Sequence, residues 1–92
     1  MFPGNIIKVV YLKLRKYWGW ANYSNNTIEL DYRLKGKKHL EILVHEMIHH
    51  LNQKKTEEEV KHDSIVMTNT LWAEGYRRPD NSNEVPLQDG SL

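Results

Sequence analysis

The hydrophobic positions of this chain follow two different periods. From Thr27 to Tyr32 apolar and polar residues alternate, with Ile28, Leu30 and Tyr32 on one face of an extended segment and Glu29 and Asp31 on the other. Ile7, Val9 and Tyr11 alternate in the same way with Lys8, Val10 and Leu12, and their β-branched content predicts a strand, although Ile6, Val10 and Leu14 would also line one side of a helix. The stretch between them, Tyr17 to Asn26, holds Trp18, Gly19, Trp20 and Tyr23 and ends in Ser24, Asn25 and Asn26, which predicts a loop. A turn over Arg33 to Lys38, with Gly36, leads into a helix predicted from about His39 to Asn52. Thr56 with Glu59 three residues on has the form of a capping box, opening a second helix to about Glu74 with Gly75 as its stop.

Composition narrows the class. Ninety-two residues and 10.9 kDa leave room for one domain, placed at residues 1–76, followed by a flexible C-terminal tail, 77–92, rich in Pro, Asn, Asp and Ser. Hydrophobic residues at 39% and charged residues at 27% are a globular balance, which excludes a disordered or membrane-embedded chain. With a net charge of +1 there is no global attraction for nucleic acid, and Lys35, Lys37 and Lys38 read as a solvated basic turn. The apolar run from Ile6 to Leu14 is broken by Lys8 and Lys13 and lacks a small-residue cleavage site, so the expected location is cytoplasmic. The absence of cysteine removes disulfides, thiolate ligands and a thiol nucleophile together, so any metal must be held by nitrogen and oxygen.

His45, Glu46, Met47, Ile48 and His49 spell H-E-x-x-H inside the first predicted helix. Residues four apart stand one above the other on a helix, so both imidazoles can converge on one zinc ion while Glu46 is turned about 100° aside, where a carboxylate can act as general base on zinc-bound water. The helical wheel gathers Leu40, Leu43, Val44, Met47 and Leu51 on one side, expected to cover the sheet, and leaves His45 and His49 on the other, facing the second helix.

A third ligand must come from Glu57, Glu58, Glu59 or His62. The expected buried stripe of the second helix is Val60, Ser64, Met67 and Leu71, and Glu57 falls about 60° from Val60. An acid on a packed face needs a partner, and a metal ion is one, so Glu57 is preferred, with Glu58 and His62 as alternates. His50 is rotated away from His49 and reads as surface or outer support, and His39 as solvent-exposed. Trp18, Trp20, Trp72 and Tyr76 read as core and rim.

With these motifs the chain resembles the zincin-like minimal metallopeptidases, which include SprT-like domains, and most nearly the short forms found in phages and prophages. The resemblance rests on Trp18 and Gly19, on Thr27 to Lys37 leading into Val44, His45 and Glu46, on Thr56 to Val60, and on Leu71, Trp72, Gly75, Tyr76 and Arg77, covering about residues 18–78. It implies an α+β fold, a minimal zincin-like domain in which a short antiparallel sheet packs on an active-site helix with a second, C-terminal helix. In the phage-type group an acid follows the helix cap, which maps onto Glu57; the SprT-like histidine ligand precedes a glycine and an aromatic, whereas His62 here precedes Asp63.

The implied activity is zinc-dependent peptide or amide hydrolysis of a peptide or protein substrate, with an extended peptide laid along Thr27 to Tyr32 as an edge strand, in the host cytoplasm if the chain is phage-encoded. The alternative is a non-catalytic phage accessory binding module with a structural or degenerate zinc site. A third reading is a nucleic-acid accessory factor using Lys35, Lys37, Lys38, Arg77 and Arg78.

Overall fold

The computed structural model describes residues 5–79. Three strands, β1 (Lys8–Leu12), β2 (Gly19–Asn22) and β3 (Thr27–Asp31), form a sheet in the order β1-β3-β2, and two helices follow, α1 (Gly36–Leu51) and α2 (Glu57–Ala73). This is an α+β fold, and Ile6 to Leu14 contributes a strand rather than a helix. The sheet is mixed rather than antiparallel, because β1 pairs in parallel with β3 while β2 is antiparallel to it. The cause is the six-residue connection 13–18, too long for a tight hairpin, which crosses the end of β3. Asp31 fastens it from both sides: Leu14 donates its backbone N–H to Asp31 Oδ2 at 3.0 Å, and Asp31 donates its own to the Trp18 carbonyl at 2.9 Å.

β3 is therefore the central strand, and the expectation that it offers a free edge is corrected: the edges belong to β1 and β2. Its burial follows, with Ile28, Leu30 and Asp31 fully covered, whereas Tyr32 lies past the strand end and is exposed. Asp31, expected on a polar face, is satisfied by Arg33, whose Nε and Nη2 donate to its two carboxylate oxygens at 2.7 Å each. β2 lies inside the stretch expected to be a loop, since Gly-Trp-Ala-Asn has no alternation of its own and takes its register from β3. A 3₁₀ turn over Tyr23–Asn25 and a left-handed Asn26 return the chain to β3.

The core is small. Ile28, Leu30 and Leu34 form its centre, with Ile7, Val9, Tyr11, Ile42 and Leu43 packed against it. Helix α1 buries Val44, His39 and His50, while Met47 and Leu51, expected against the sheet, are exposed. His39 is inside because Tyr11 Oη lies 2.9 Å from its Nε2 and the two rings stack 5.9 Å apart. On α2 the buried row is Val60, Ser64 and Thr68; Met67 is exposed and Thr68 takes the place expected for it, because the packed row runs at strict four-residue spacing. None of Trp18, Trp20 and Tyr76 is core: each is about half exposed or more.

The capping box forms as expected, with Glu59 N–H donating to Thr56 Oγ1 at 3.1 Å and Thr56 N–H donating to Glu59 Oε1 at 2.9 Å. At the other end Gly75, with φ of +94°, stops α2 and lets Tyr76 N–H reach the Leu71 carbonyl at 3.0 Å. Arg77 and Arg78, assigned to the tail by composition, fold back onto Trp72 and Tyr11, and the rest of that tail, 80–92, lies outside the described residues. No helix among the described residues is long and apolar enough to cross a membrane.

Arg33 holds the Asp31 carboxyl well below the usual carboxylate range, chiefly through its side-chain hydrogen bonds. A carboxyl depressed on folding stabilises the fold above its unfolded pKa, and that stability drains away as pH falls toward the folded value. Asp31→Asn is expected to lower the melting temperature at neutral pH and to flatten the melting curve's dependence on pH below about 4. Melts of both chains across that range would contradict the role of Asp31 if they fell in parallel.

Candidate metal centre

The short link of residues 52–56 turns the chain back on itself, so the end of α1 faces the start of α2. Because the capping box fixes Thr56 as the cap, Glu57 is the first helical residue and lies against α1. Its carboxylate bridges two imidazoles: Oε1 accepts from His49 Nε2 at 2.8 Å, and Oε2 lies 3.1 Å from His45 Nε2. The imidazoles themselves, one turn apart, meet edge to face with centroids 4.8 Å apart. His45 and His49 face α2 as the wheel predicts, whereas Glu57, expected on the packed stripe of α2, reaches in from the open mouth of the seam, with a side chain 69% exposed against 18% and 22% for His45 and His49.

The other candidates are engaged elsewhere or turned away. Glu59 closes the capping box, His62 sits on the exposed side with its Nδ1 3.1 Å from Asp63 Oδ1, and Glu58 is exposed.

Glu46 joins the trio in one open cleft of about 430 Å³, walled by Tyr17, Gly19, Trp20, Ala21 and Tyr23. Burial pushes the Glu46 carboxyl above its ordinary value, His49 pulls it down in part and Glu57 raises it again. Burial likewise lowers the His45 imidazole below its ordinary value, partly opposed by Glu57, which favours the neutral ring that a cation needs. Tyr23 has its phenol raised by burial and by the charges of Glu46 and Glu57, so it shares their space.

Three supports of this cleft lie outside the H-E-x-x-H motif, and two of them, Gly19 and Trp20, are not expected there from the sequence. Gly19 is one: a Cβ there would sit 2.8 Å from Ile42 Cγ2, 3.0 Å from Glu46 Cγ and 3.0 Å from Leu30 Cδ2, so only glycine lets β2 approach α1 at the catalytic candidate. A glycine within a strand is the signal for such a close approach. His50 is the second, and of its two readings, surface or outer support, the second holds: it is buried, with its Nε2 2.7 Å from Asn26 Oδ1 and its ring 5.6 Å from that of Tyr23. Trp20 is the third, read as core or rim and found in the cleft wall.

Two nitrogens and a carboxylate oxygen, all within 4.8 Å of one another, make a group that could hold a metal ion. A tetrahedral zinc with bonds of about 2.0–2.1 Å spaces neighbouring donors roughly 3.4 Å apart, and the contacts of 2.8 and 3.1 Å from the two Glu57 oxygens to the imidazoles bracket that spacing from below, within a group whose donors lie no more than 4.8 Å apart. The donor set fits zinc. No protein-family model, curated protein or solved structure matches this chain.

Gly19→Ala is expected to cost about 1–3 kcal/mol through overpacking. The check is thermal unfolding, where about 4–8 °C accompanies each kcal/mol in a domain of this size. An unchanged melting temperature would mean that β2 and α1 are not in the close register described.

Proposed function

We propose that this chain is a zinc-dependent peptidase or amidase in which His45, His49 and Glu57 hold the ion and Glu46 is the general base. The observation that carries the proposal is the convergence of one carboxylate from α2 on both imidazoles of α1, with Glu46 beside them in the same cleft. Helix periodicity accounts for the pair of histidines but not for an acid from a second element between them.

A zinc ion held by two imidazoles and a carboxylate supplies Lewis acidity toward water and an amide carbonyl. Glu46 takes the proton from the attacking water, and its burial-raised pKa brings a carboxylate nearer the working range of a base. The same carboxyl then carries that proton to the departing amine. Gly19, by its lack of a side chain, holds Glu46 close under β2. β2 is an edge strand whose Gly19, Trp20 and Ala21 line the cleft, so an extended peptide adding to that edge would pass in front of Glu46.

A second reading, a non-catalytic binding module with a structural zinc, is favoured by the small core, since an ion joining α1 to α2 would add stability that the five buried aliphatics of the described residues supply only in part. The two readings part at Glu46.

Metal analysis of the purified full chain is expected to find one zinc in the wild type and in Glu46→Gln, and loss of zinc from His45→Ala and Glu57→Ala. Hydrolysis of a mixed peptide library is expected to fall by at least about 100-fold in Glu46→Gln. Undiminished hydrolysis with that substitution would remove the mechanism; zinc retention with no hydrolysis by the wild type would favour the structural reading.

A further inference from the structure

Beside the metal-binding trio the cleft wall is aromatic. Tyr17 and Trp20 pack on each other with ring centroids 5.5 Å apart at 35°, yet they remain 55% and 50% exposed. Both line the cleft with His45, Glu46, His49 and Glu57. Large aromatic faces left half in water give up much of the free energy that burial would return, so an apolar group arriving beside them is favoured. The ionisable groups that share the cleft are Glu46, Glu57, the two histidines and the two neighbouring phenols, Tyr17 and Tyr23, with no lysine or arginine among them. With Glu57 and the histidines committed to the ion, an acidic side chain at the cleft wall would find no lysine or arginine partner in that lining, and the Glu46 carboxylate nearby.

We infer that Tyr17 and Trp20 form a specificity subsite that selects a bulky apolar or aromatic side chain on the residue flanking the scissile amide, and rejects an acidic one. This rests on the zinc hydrolase reading and names its substrate class. Trp20 supplies both parts of the recognition: its backbone belongs to the edge strand β2, and its ring packs on that of Tyr17, both residues lining the cleft. A peptide paired to the edge places alternate side chains on one side of the sheet, so one of them meets this ring pair while its neighbouring amide lies at the candidate centre. The ring pair is held by mutual packing on an edge strand and not by the core, so it can be altered without emptying the interior.

The test uses the zinc-loaded full chain and N-acetylated amino-acid hydroxamates, whose head group chelates zinc whatever the side chain. Calorimetric titration is expected to show the phenylalanine and leucine hydroxamates binding at least about tenfold tighter than the glycine one, with the aspartate hydroxamate weakest. In Trp20→Ala, and in Tyr17→Ala as a second variant should the first fail to fold, that contrast is expected to collapse to within about threefold. Equal affinity of the glycine and phenylalanine hydroxamates for the wild type, or an unchanged contrast in the folded variants, overturns the subsite alone. Failure of every hydroxamate to bind a chain that takes up no zinc overturns the hydrolase reading and the subsite with it.

Discussion

One helix has to serve two surfaces. α1 presses Ile42 and Leu43 onto a three-stranded sheet and at the same time presents His45 and His49 to α2, and the whole arrangement depends on how closely it can lie on β2. Gly19 sets that distance, since its missing side chain is the space occupied by Ile42 and Glu46. A longer residue there would have to displace the side chains of Ile42, Glu46 and Leu30, disturbing the packing of α1 on β2. The local geometry of the His45, His49 and Glu57 group is thus a property of a strand-to-helix contact as much as of the H-E-x-x-H segment.

The connections reinforce this. Asp31 and Arg33 lock the 13–18 crossing over the end of β3, and the Arg33 guanidinium lies 5.7 Å from the Trp18 ring, directly before Gly19. His50 and Asn26 fix the turn that carries Tyr23 into the cleft. The capping box at Thr56 decides which of three consecutive acids points at α1. Each is a short polar anchor, and together they do in a chain with a small core what a larger apolar interior does elsewhere. A metal ion shared by α1 and α2 would extend the same economy of means, coupling ligand binding to folding.

Much of this was legible in the residues. The histidines converge because four-residue spacing on a helix leaves no other choice, the capping box is a local motif that forms from its own side chains, and Glu57 follows from where that box begins the helix. What was not legible depended on partners distant in sequence. β2 has no periodicity of its own, and the parallel pairing of β1 with β3 is imposed by a crossing that Asp31 holds from the far end of the sheet. Hydropathy on a wheel misplaces Met47, Leu51 and Met67, which are exposed, and it gives no sign that Tyr11 and Asn26 would satisfy the imidazoles of His39 and His50 inside the fold.

The central claim is that His45, His49 and Glu57 bind one divalent cation together. Side-chain nitrogen NMR of the histidines during titration of zinc into the metal-free full chain tests it most directly. The account predicts that the Nε2 resonances of His45 and His49 move to metal-bound positions and stop at one ion per chain, while those of His39 and His62 stay where they were. Saturation with the His45 and His49 resonances unmoved, or zinc uptake undiminished in Glu57→Gln, would contradict it.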